Sequence, residues 1–464
     1  MKKIIRAVIF LSIMAGAIYS LNHVMLNRES DGSIQLYDFY ELEKDRVDVL
    51  CIGSSHVYYG YNTCQLYDDY GIASYLLSSS GQPVWVSYYL LEEALKSQQP
   101  KLVLFDTGTL FRREEDFQPS SWEVLLGMKP SRTKWKALKE VSSYDPTLDT
   151  ASAFFTFPYY HTRFLSLTRQ DYEGTEEIRY MGYKPRFGTI TESELEDAQK
   201  AESGRRGGIT ERAEKYLLKI MRLCRDRNIP MAIANTPYAN LSDAKRKANA
   251  YIKTLADQYD IPVLEGNDLT REMQIRFSDD LLDPSHLNYD GSVKFTAYLG
   301  EWLKDRYSLP DRRGEKQYQK WEETSARMRH VELNGQRLME AQTADAYLRI
   351  LEEWADDLVT VCWNQNGKAQ VYDGGRCIFE GPLGQEYSEY FAVGDSDLTV
   401  SCVDGQIQVL LNNEPFCFSQ DGLNILVYDK IAEQLLDGIG LEGEDSMQIV
   451  RKQEKEQEEQ DIEE

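Results

Sequence analysis

One serine in this sequence stands where a nucleophile could be positioned. Ser55 follows the short apolar run Val47–Ile52 and Gly53, so we predict that it lies at a tight turn from a strand into a helix. Such a turn exposes the hydroxyl and directs helix N–H groups toward a neighbouring oxyanion. Helix capping accounts for most serines at turns of this kind, so a base elsewhere in the chain must complete the argument.

The motif Asp283-Pro284-Ser285-His286 supplies such a base. Aspartate and histidine three residues apart on one loop can place the carboxylate beside one ring nitrogen, which leaves the other nitrogen to accept a serine proton. A surface or capping histidine is the competing interpretation. His286 has a carboxylate at the right offset and a helix start directly after it, and Ser55 supplies a hydroxyl for it to act on. We therefore predict Ser55 as nucleophile, His286 as general base and Asp283 as its orienting partner.

Short apolar segments alternate with amphipathic helices through the first two thirds of the chain. We predict strands near 47–52, 73–77, 102–105, 231–234 and 261–264, and helices near 84–95, 210–227 and 244–258. This alternation indicates a parallel sheet with helices on both faces, a three-layer α/β sandwich. Ligands bind beyond the carboxyl ends of the strands in such sheets. Polar clusters follow the strands there, and Asn235, at the carboxyl end of the fourth strand, is a candidate for substrate or oxyanion binding.

The stretch from about 112 to 207 does not fit this alternation and is rich in aromatic residues. Long insertions in compact domains are often lids or binding loops. We interpret the stretch as a substrate-facing insertion, in which His161 and Arg163 contact an anionic or hydroxyl-rich substrate. An ordinary helical embellishment packed on the sheet is the alternative.

The N-terminus has the pattern of a membrane signal. Lys2, Lys3 and Arg6 precede an apolar run that extends to Leu21, which places the rest of the chain outside the cytoplasmic membrane. We favour an uncleaved single-pass anchor in the cell membrane, because polar residues begin abruptly after this run. Cleavage near residues 15–17, which would give a secreted protein, is the alternative.

A charged helical connector follows Leu309-Pro310, and from Val331 onward short alternating segments are separated by turn residues such as Asp373-Gly-Gly. These segments predict a separate all-β domain. The final residues are strongly acidic and predict a solvated, disordered tail. The predicted division is an anchor and linker at 1–30, an α/β domain at 31–310, the connector at 311–330, the β domain at 331–441 and the tail at 442–464.

Composition narrows the function classes. The 52 Lys and Arg residues against 76 Asp and Glu give a net charge of −24, and no basic stripe interleaved with aromatics occurs, so we exclude nucleic acid as a partner. Seven cysteines form no C-x-x-C pair, and we expect neither a metal nor a cofactor. One or two disulfides in the last third stay open, while a buried free thiol is the preferred interpretation for Cys51.

Three motifs together resemble the SGNH/GDSL hydrolase superfamily. They also resemble its membrane-anchored branches allied to the D-alanyl transfer proteins of teichoic acid and the alginate O-acetylation proteins. The motifs are Gly53-Ser54-Ser55-His56, Phe157-Pro158-Tyr159-Tyr160-His161-Thr162-Arg163 and Asp283-Pro284-Ser285-His286-Leu287-Asn288. The resemblance covers about residues 45 to 305. It implies a flavodoxin-like fold, the roles given above for Ser55, His286 and Asp283, and oxyanion donors on the backbone N–H groups of Ser55 and Gly81.

The chain departs from the family at the third block, where Asp106-Thr107-Gly108-Thr109 replaces the usual Gly-x-Asn-Asp. The asparagine donor is absent. One oxyanion donor is worth roughly 2.7–4 kcal/mol, so either Thr107, Thr109 or a lid residue substitutes, or fast hydrolysis has been given up. Transfer to a bound acceptor tolerates that loss better than hydrolysis does.

The function that the resemblance implies is an extracytoplasmic serine acyltransferase or esterase. Its substrates would be hydroxyls of a cell-surface polysaccharide or teichoic-acid-like polymer, its intermediate acyl-Ser55, and its acyl supplier a multipass membrane O-acyltransferase. The segment Gly422–Lys430 resembles the interleukin-like EMT-inducer domain, which implies binding or docking. The alternative is a non-catalytic protein that binds a glycan or docks a membrane O-acyltransferase. A secreted lipase is a third interpretation, but the sequence contains no extended apolar segment typical of a lipase lid helix.

Overall fold

The structure is a computed structural model that describes residues 2–26, 32–167, 171–172, 180–186, 189–200, 208–364, 367–382, 384–393, 396–430, 434–443 and 447–451. The chain divides into two compact units, with the boundary between Ser325 and Ala326. The first unit contains a parallel sheet with helices, and the second contains antiparallel sheets. The predicted α/β class, the separate β region and the apolar N-terminal helix are confirmed at this level.

The first unit contains twelve described helices and five strands. The helices are α1 (Lys2–Met25), α2 (Ser33–Glu41), α3 (Ser55–Gly60), α4 (Thr63–Tyr70), α5 (Val84–Ala94), α6 (Arg132–Val141), α7 (Thr150–Phe155), α8 (Glu192–Lys200), α9 (Glu211–Asp226), α10 (Asp243–Asp257), α11 (Phe277–Asp280) and α12 (Tyr289–Arg306). The strands are β1 (Val49–Gly53), β2 (Ser74–Ser78), β3 (Leu102–Phe105), β4 (Met231–Asn235) and β5 (Val263–Glu265).

The five strands form one parallel sheet in the order β2-β1-β3-β4-β5. Every residue of β1, β2, β3 and β4 is buried, which is why these strands are short apolar runs in the sequence. Gly53 pairs with Ser78, and Ile52 pairs with Phe105. Because all strands run the same way, the residues that follow them lie along one edge of the sheet.

Helix packing and caps position the ends of the site-bearing loops. Helix α5 packs against α9, and α12 packs against α3 and α4. The side chain of Asn288 accepts a hydrogen bond from the backbone N–H of Gly291, so α12 begins directly after the Asp283–His286 loop. Each strand of the sheet begins within two residues of its predicted start.

The insertion consists of α6, α7 and α8 together with short 3₁₀ turns, among them Glu123–Gly127 and His161–Leu165. Helix α6 packs against α5 and α7 and buries Ala137, Leu138 and Val141. This packing agrees with the alternative interpretation, a helical embellishment on the α/β unit. Residues 168–170, 173–179, 187–188 and 201–207 of the insertion lie outside the described residues.

Helix α1 contains a stretch, Ile5–Met25, of 21 residues with a mean hydropathy of 1.6. By length and composition this stretch could cross a membrane. Its large apolar side chains are exposed around the helix; these include Ile5, Val8, Ile9, Phe10, Leu11 and Ile13. A helix that is apolar on all sides needs an apolar environment of its own, and the rest of the chain leaves most of this stretch uncovered.

Two helices and ten strands are described in the second part of the chain. Helix α13 (Gln319–Glu340) crosses the boundary between the units and is followed by α14 (Ala344–Glu353). The strands are β6 (Leu358–Trp363), β7 (Ala369–Asp373), β8 (Arg376–Glu380), β9 (Tyr387–Val393), β10 (Ser396–Val403), β11 (Gln406–Leu411), β12 (Glu414–Phe416), β13 (Leu423–Asp429), β14 (Gln434–Glu442) and β15 (Gln448–Val450).

These strands form two antiparallel sheets, β12-β11-β10-β9 and β15-β14-β13-β6-β7-β8, which share one apolar core. The predicted turn at Asp373-Gly-Gly connects β7 to β8, and both Gly374 and Gly375 adopt positive φ, at 57° and 70°. A two-residue hairpin of this kind matches the right-handed twist of its strands and needs residues that tolerate positive φ.

At two of the predicted boundaries the structure shows other elements than the sequence indicated. The β region does not start at Val331, because Thr343 caps α14, which buries Tyr347, Ile350 and Leu351 along one face, and the first strand begins only at Leu358. The tail does not start at 442 either, since β15 pairs with the end of β14. Residues 452–464 of the predicted tail lie outside the described residues.

All seven cysteines are free thiols, so the disulfides that the sequence left open do not form. Cys51 is fully buried in β1, as expected, and burial raises the pKa of its thiol well above the ordinary value. A buried, protonated thiol packs as a small apolar group and is a poor nucleophile.

Candidate active site

Ser55, His286 and Asp283 form a continuous hydrogen-bonded chain. The Ser55 Oγ lies 2.7 Å from Nε2 of His286, across 231 positions of sequence. The other ring nitrogen, Nδ1, lies 2.6 Å from Oδ2 of Asp283. Both distances are within hydrogen-bonding reach, so a proton can pass from the hydroxyl to the imidazole while the carboxylate holds the ring.

Hydrogen bonds from Ser54 to the carboxylate of Asp106 fix the turn that carries Ser55. Oδ2 of this carboxylate accepts a hydrogen bond from Ser54 Oγ at 3.0 Å and one from the Ser54 N–H at 3.4 Å. A Cβ atom at Gly53 would lie only 2.6 Å from the Cβ of Asp106 and 2.6 Å from Val57 Cγ2. Glycine therefore permits the close approach that fixes the turn.

The loop that carries His286 is organised by the same carboxylate that orients its ring. Oδ1 of Asp283 accepts hydrogen bonds from the N–H groups of Ser285, at 2.7 Å, and His286, at 3.1 Å. The carbonyl of Pro284 accepts the N–H of Ala239 from the loop after β4. Asp283 thus shapes the loop through one oxygen and holds the imidazole through the other.

The charge state of Asp283 supports this orientation. Burial acts to raise the pKa of the carboxyl, but the hydrogen bond and charge of His286 and the N–H groups of the loop outweigh it and hold the pKa below its ordinary value. The ionised carboxylate favours a proton on Nδ1 of His286. The lone pair of Nε2 then faces the Ser55 hydroxyl.

Two aromatic neighbours of His286 were not predicted. The ring of His56 lies 5.3 Å from the His286 ring, and Tyr59 approaches the same ring edge-on at 5.1 Å. Burial, with the charges of His286 and Lys245, lowers the pKa of His56 to about 3, so this second imidazole is neutral at physiological pH. Since Tyr59 follows Ser55 by one helical turn, helical periodicity could have indicated it.

Asp106 is a further residue whose role the sequence did not indicate. Besides Ser54, its carboxylate accepts the N–H of Gly108 at 3.1 Å. Burial raises its pKa to about 6, although these hydrogen bonds and the charge of His286 act in the opposite direction. No spacing pattern distinguishes a carboxylate that braces a turn from one that binds a ligand, so only the structure shows this contact.

Thr107 and Asn235 are engaged with each other. The N–H and hydroxyl of Thr107 both donate to Oδ1 of Asn235 at 2.9 Å, and Nδ2 of Asn235 donates to Glu265 at 2.9 Å. The hydroxyl of Thr109 donates to the carbonyl of Gln82. These contacts link the carboxyl ends of β3, β4 and β5 and favour a structural role over the predicted oxyanion or substrate role.

Gly81 lies beyond the carboxyl end of β2, on the same sheet edge as Ser55. Its φ of +54° is left-handed, and a Cβ atom there would lie 2.8 Å from Arg112 Nη1. Both facts explain why glycine occupies the position. Its assignment as an oxyanion donor stays a prediction.

His161 and Arg163 contact other parts of the unit. Nδ1 of His161 lies 2.8 Å from the carbonyl of Pro158. Arg163 donates to the backbone carbonyls of Met25 and Leu26 at the end of α1 and pairs with Asp171. These contacts do not support the predicted role of Arg163 in substrate binding, because its guanidinium is committed to the end of the N-terminal helix.

Within the part of the chain that the structure describes, no group of three or more His, Cys, Asp or Glu side chains is arranged to hold a metal ion. No protein-family model matches this sequence, and no curated protein is significantly similar to it. The site is therefore interpreted from its own chemistry: a serine hydroxyl, an imidazole and a carboxylate in the geometry of a catalytic triad.

Proposed function

We propose that the chain is an extracytoplasmic serine acyltransferase or esterase of the SGNH type. It would act on hydroxyls of a cell-surface polysaccharide or teichoic-acid-like polymer. The observation that carries the proposal is the hydrogen-bonded chain from Ser55 Oγ through His286 to Asp283. A structural serine needs no imidazole at 2.7 Å with a carboxylate behind it.

The proposed reaction has two steps. In the first, Ser55 Oγ attacks the carbonyl carbon of an acyl donor, His286 Nε2 takes the hydroxyl proton, and the leaving group receives that proton as the acyl–donor bond breaks. In the second, His286 takes the proton of a sugar hydroxyl or water, whose oxygen attacks the acyl carbon. His286 then returns this proton to Ser55 Oγ as the acyl–Ser55 bond breaks, which regenerates the free serine. Asp283 stays ionised and stabilises the imidazolium in both steps.

Oxyanion stabilisation in this proposal comes from backbone N–H groups, those of Ser55 and of the loop at Gly81. The hydroxyl hydrogens of Thr107 and Thr109 are donated to protein acceptors, so they are poor substitutes for the missing asparagine. A missing donor costs roughly 2.7–4 kcal/mol of transition-state stabilisation. That cost favours transfer to a bound acceptor, whose proximity compensates, over hydrolysis by water.

The sheet order supports the proposed fold, and the N-terminal helix supports the proposed place at the membrane. The sheet order, with Ser55 after β1 and the Asp283–His286 loop before α12, suits a flavodoxin-like three-layer sandwich with the site at the strands' carboxyl ends. Helix α1 would anchor the chain in the cell membrane, with both units outside the cytoplasm. A multipass membrane O-acyltransferase would supply the acyl group, and the C-terminal unit would dock a partner.

A fluorophosphonate probe tests the nucleophile. The probe phosphonylates an activated serine with loss of fluoride, so we expect labelling of the wild-type chain and loss of labelling in Ser55→Ala. Ser285→Ala is the matched control, because this neighbouring hydroxyl faces Asn240 rather than His286, and it should label normally. Absence of labelling in the wild-type chain, under conditions that label a control esterase, would favour the alternative of a non-catalytic glycan-binding or docking protein.

A further inference from the structure

The end of α1 is bound to the insertion through four residues, which we name the clamp: Asn22, Phe157, Arg163 and Asp171. The side chain of Asn22 accepts the N–H of Phe157 at 3.0 Å. Arg163 Nη1 donates to the carbonyls of Met25, at 3.2 Å, and Leu26, at 2.7 Å, and its Nη2 pairs with the buried Asp171 at 2.8 Å. A guanidinium on free helix-end carbonyls satisfies acceptors that the helix itself cannot. The helix therefore ends in a fixed contact with the catalytic unit.

Large apolar side chains are exposed directly beside this clamp. The exposed fractions are 45% for Phe155, 61% for Phe164, 80% for Leu165 and 60% for Tyr172. We name these four residues the collar. Phe164 and Leu165 follow Arg163, Tyr172 follows Asp171, and Phe155 lies two residues before Phe157, so each collar residue is within two positions of a clamp residue. Such a concentration of exposed apolar groups marks an interaction surface.

The collar continues into a basic and aromatic helix face. Phe155 contacts Phe154 edge-on at 5.3 Å, and Phe154 contacts the half-exposed Trp135 of α6 at 5.6 Å. The ammonium of Lys139 lies 5.7 Å from the centre of the Trp135 ring. Arg132 and Lys136 are also exposed on α6. Aromatic rings with lysine and arginine beside them are typical of the headgroup layer of a membrane.

We propose that the collar inserts into the interfacial layer of the same bilayer that α1 crosses, so that the catalytic unit rests on the lipid surface rather than on a flexible tether. This inference rests on the proposed membrane anchor. Ile5–Met25 has 21 residues and spans about 32 Å at ~1.5 Å per residue, close to the ~30 Å hydrocarbon core. The clamp at its end then lies at headgroup depth, which favours lipid over a protein partner as the occupant.

Photolabelling of the full chain in lipid nanodiscs tests this inference. The discs contain phosphatidylcholine and phosphatidylglycerol, with a photoreactive diazirine on the acyl chain near the headgroup, and labelled peptides are mapped by mass spectrometry. We expect label in α1 and in the peptides that carry the collar. In the variant with both Phe164→Ser and Leu165→Ser, collar labelling should fall about ten-fold while α1 labelling stays unchanged. Both side chains are exposed, so the fold should tolerate the change.

Ile378→Ser is the matched control, because Ile378 is a comparably exposed apolar side chain on β8. This variant should leave collar labelling at the wild-type level. Label in α1 alone would overturn the collar inference and leave the anchor intact, whereas label in neither would overturn the anchor as well. Fluorophosphonate labelling of Ser55 in the same discs reports on the catalytic proposal separately.

Discussion

Replacing Asp283 by asparagine tests how His286 is held. The change keeps one side-chain oxygen, so the hydrogen bonds from the N–H groups of Ser285 and His286 can persist and the loop can keep its shape. It replaces the oxygen that faces Nδ1 of His286 by an NH₂ group, which donates instead of accepting. The imidazole then places its proton on Nε2, where it faces the Ser55 hydroxyl and cannot accept a second proton.

The magnitude follows from the contacts that change. The variant loses the hydrogen bond between His286 and the charged Asp283 carboxylate, and a bond of this kind contributes about 1.5–3 kcal/mol. To return the proton to Nδ1, the variant must also break the new neutral hydrogen bond from the asparagine NH₂ group, at about 0.5–1.5 kcal/mol. The sum of about 2–4.5 kcal/mol corresponds to a loss of roughly 30-fold to 2,000-fold in rate. Because 42% of the Asp283 side chain is exposed, solvent screens its charge, and we expect a loss of about 100-fold.

The assay is the rate of fluorophosphonate labelling, followed together with hydrolysis of an activated acetyl ester. Asp283→Ala opens a solvent-accessible gap beside Nδ1, so added formate should restore part of the rate in this variant but not in Asp283→Asn. Asp279→Asn, on the neighbouring helix α11, is the control and should react at the wild-type rate. A folded Asp283→Asn protein that keeps more than about a tenth of the wild-type rate would refute the assigned role of this carboxylate.

Two further predictions concern the support of the site. Gly53→Ala places a methyl group 2.6 Å from the Cβ of Asp106, so we expect a loss of about 1–3 kcal/mol in stability and slower labelling of Ser55. Gly108→Ala, whose added methyl group would have its nearest neighbour at 3.1 Å, should cost less stability. A larger loss in Gly108→Ala than in Gly53→Ala would contradict the packing argument. Burial raises the pKa of Glu265 to about 7, so the folded state holds this proton more tightly than the unfolded chain and stability falls as the pH rises from about 5 through 7. Glu265→Gln removes that contribution, and its thermal midpoint relative to wild type should rise between about pH 5.5 and pH 8; a constant difference would contradict it.

The sheet and the meeting of Ser55 with His286 were predictable because both leave strong local signals. Buried parallel strands are short apolar runs, and the turn after β1 and the Asp-x-x-His loop each lie beside a helix start. Parallel topology then brings the ends of distant strands to one edge, so the 231 positions between the two residues were no obstacle.

The contacts around the triad were not predictable from local pattern. Whether Thr107 faces a ligand or Asn235 depends on the register between β3 and β4, which the sequence of either strand leaves open. The same holds for Arg163, whose partners at the end of α1 lie more than 130 positions away. Helix α14 was missed because its apolar stripe, with Tyr347 at its centre, is short and lies a few residues before strand β6. In the sequence the two apolar segments are difficult to separate, so the helix was assigned to the β region.

The central claim is that Ser55 Oγ carries the acyl group, and peptide mass mapping after exposure to an activated acetyl ester tests it most directly. We predict one added acetyl group on the peptide that contains Ser55 in the wild-type chain, and none in Ser55→Ala. Ester turnover with an unmodified Ser55 peptide at every time point, or acetylation confined to another residue, would contradict the account.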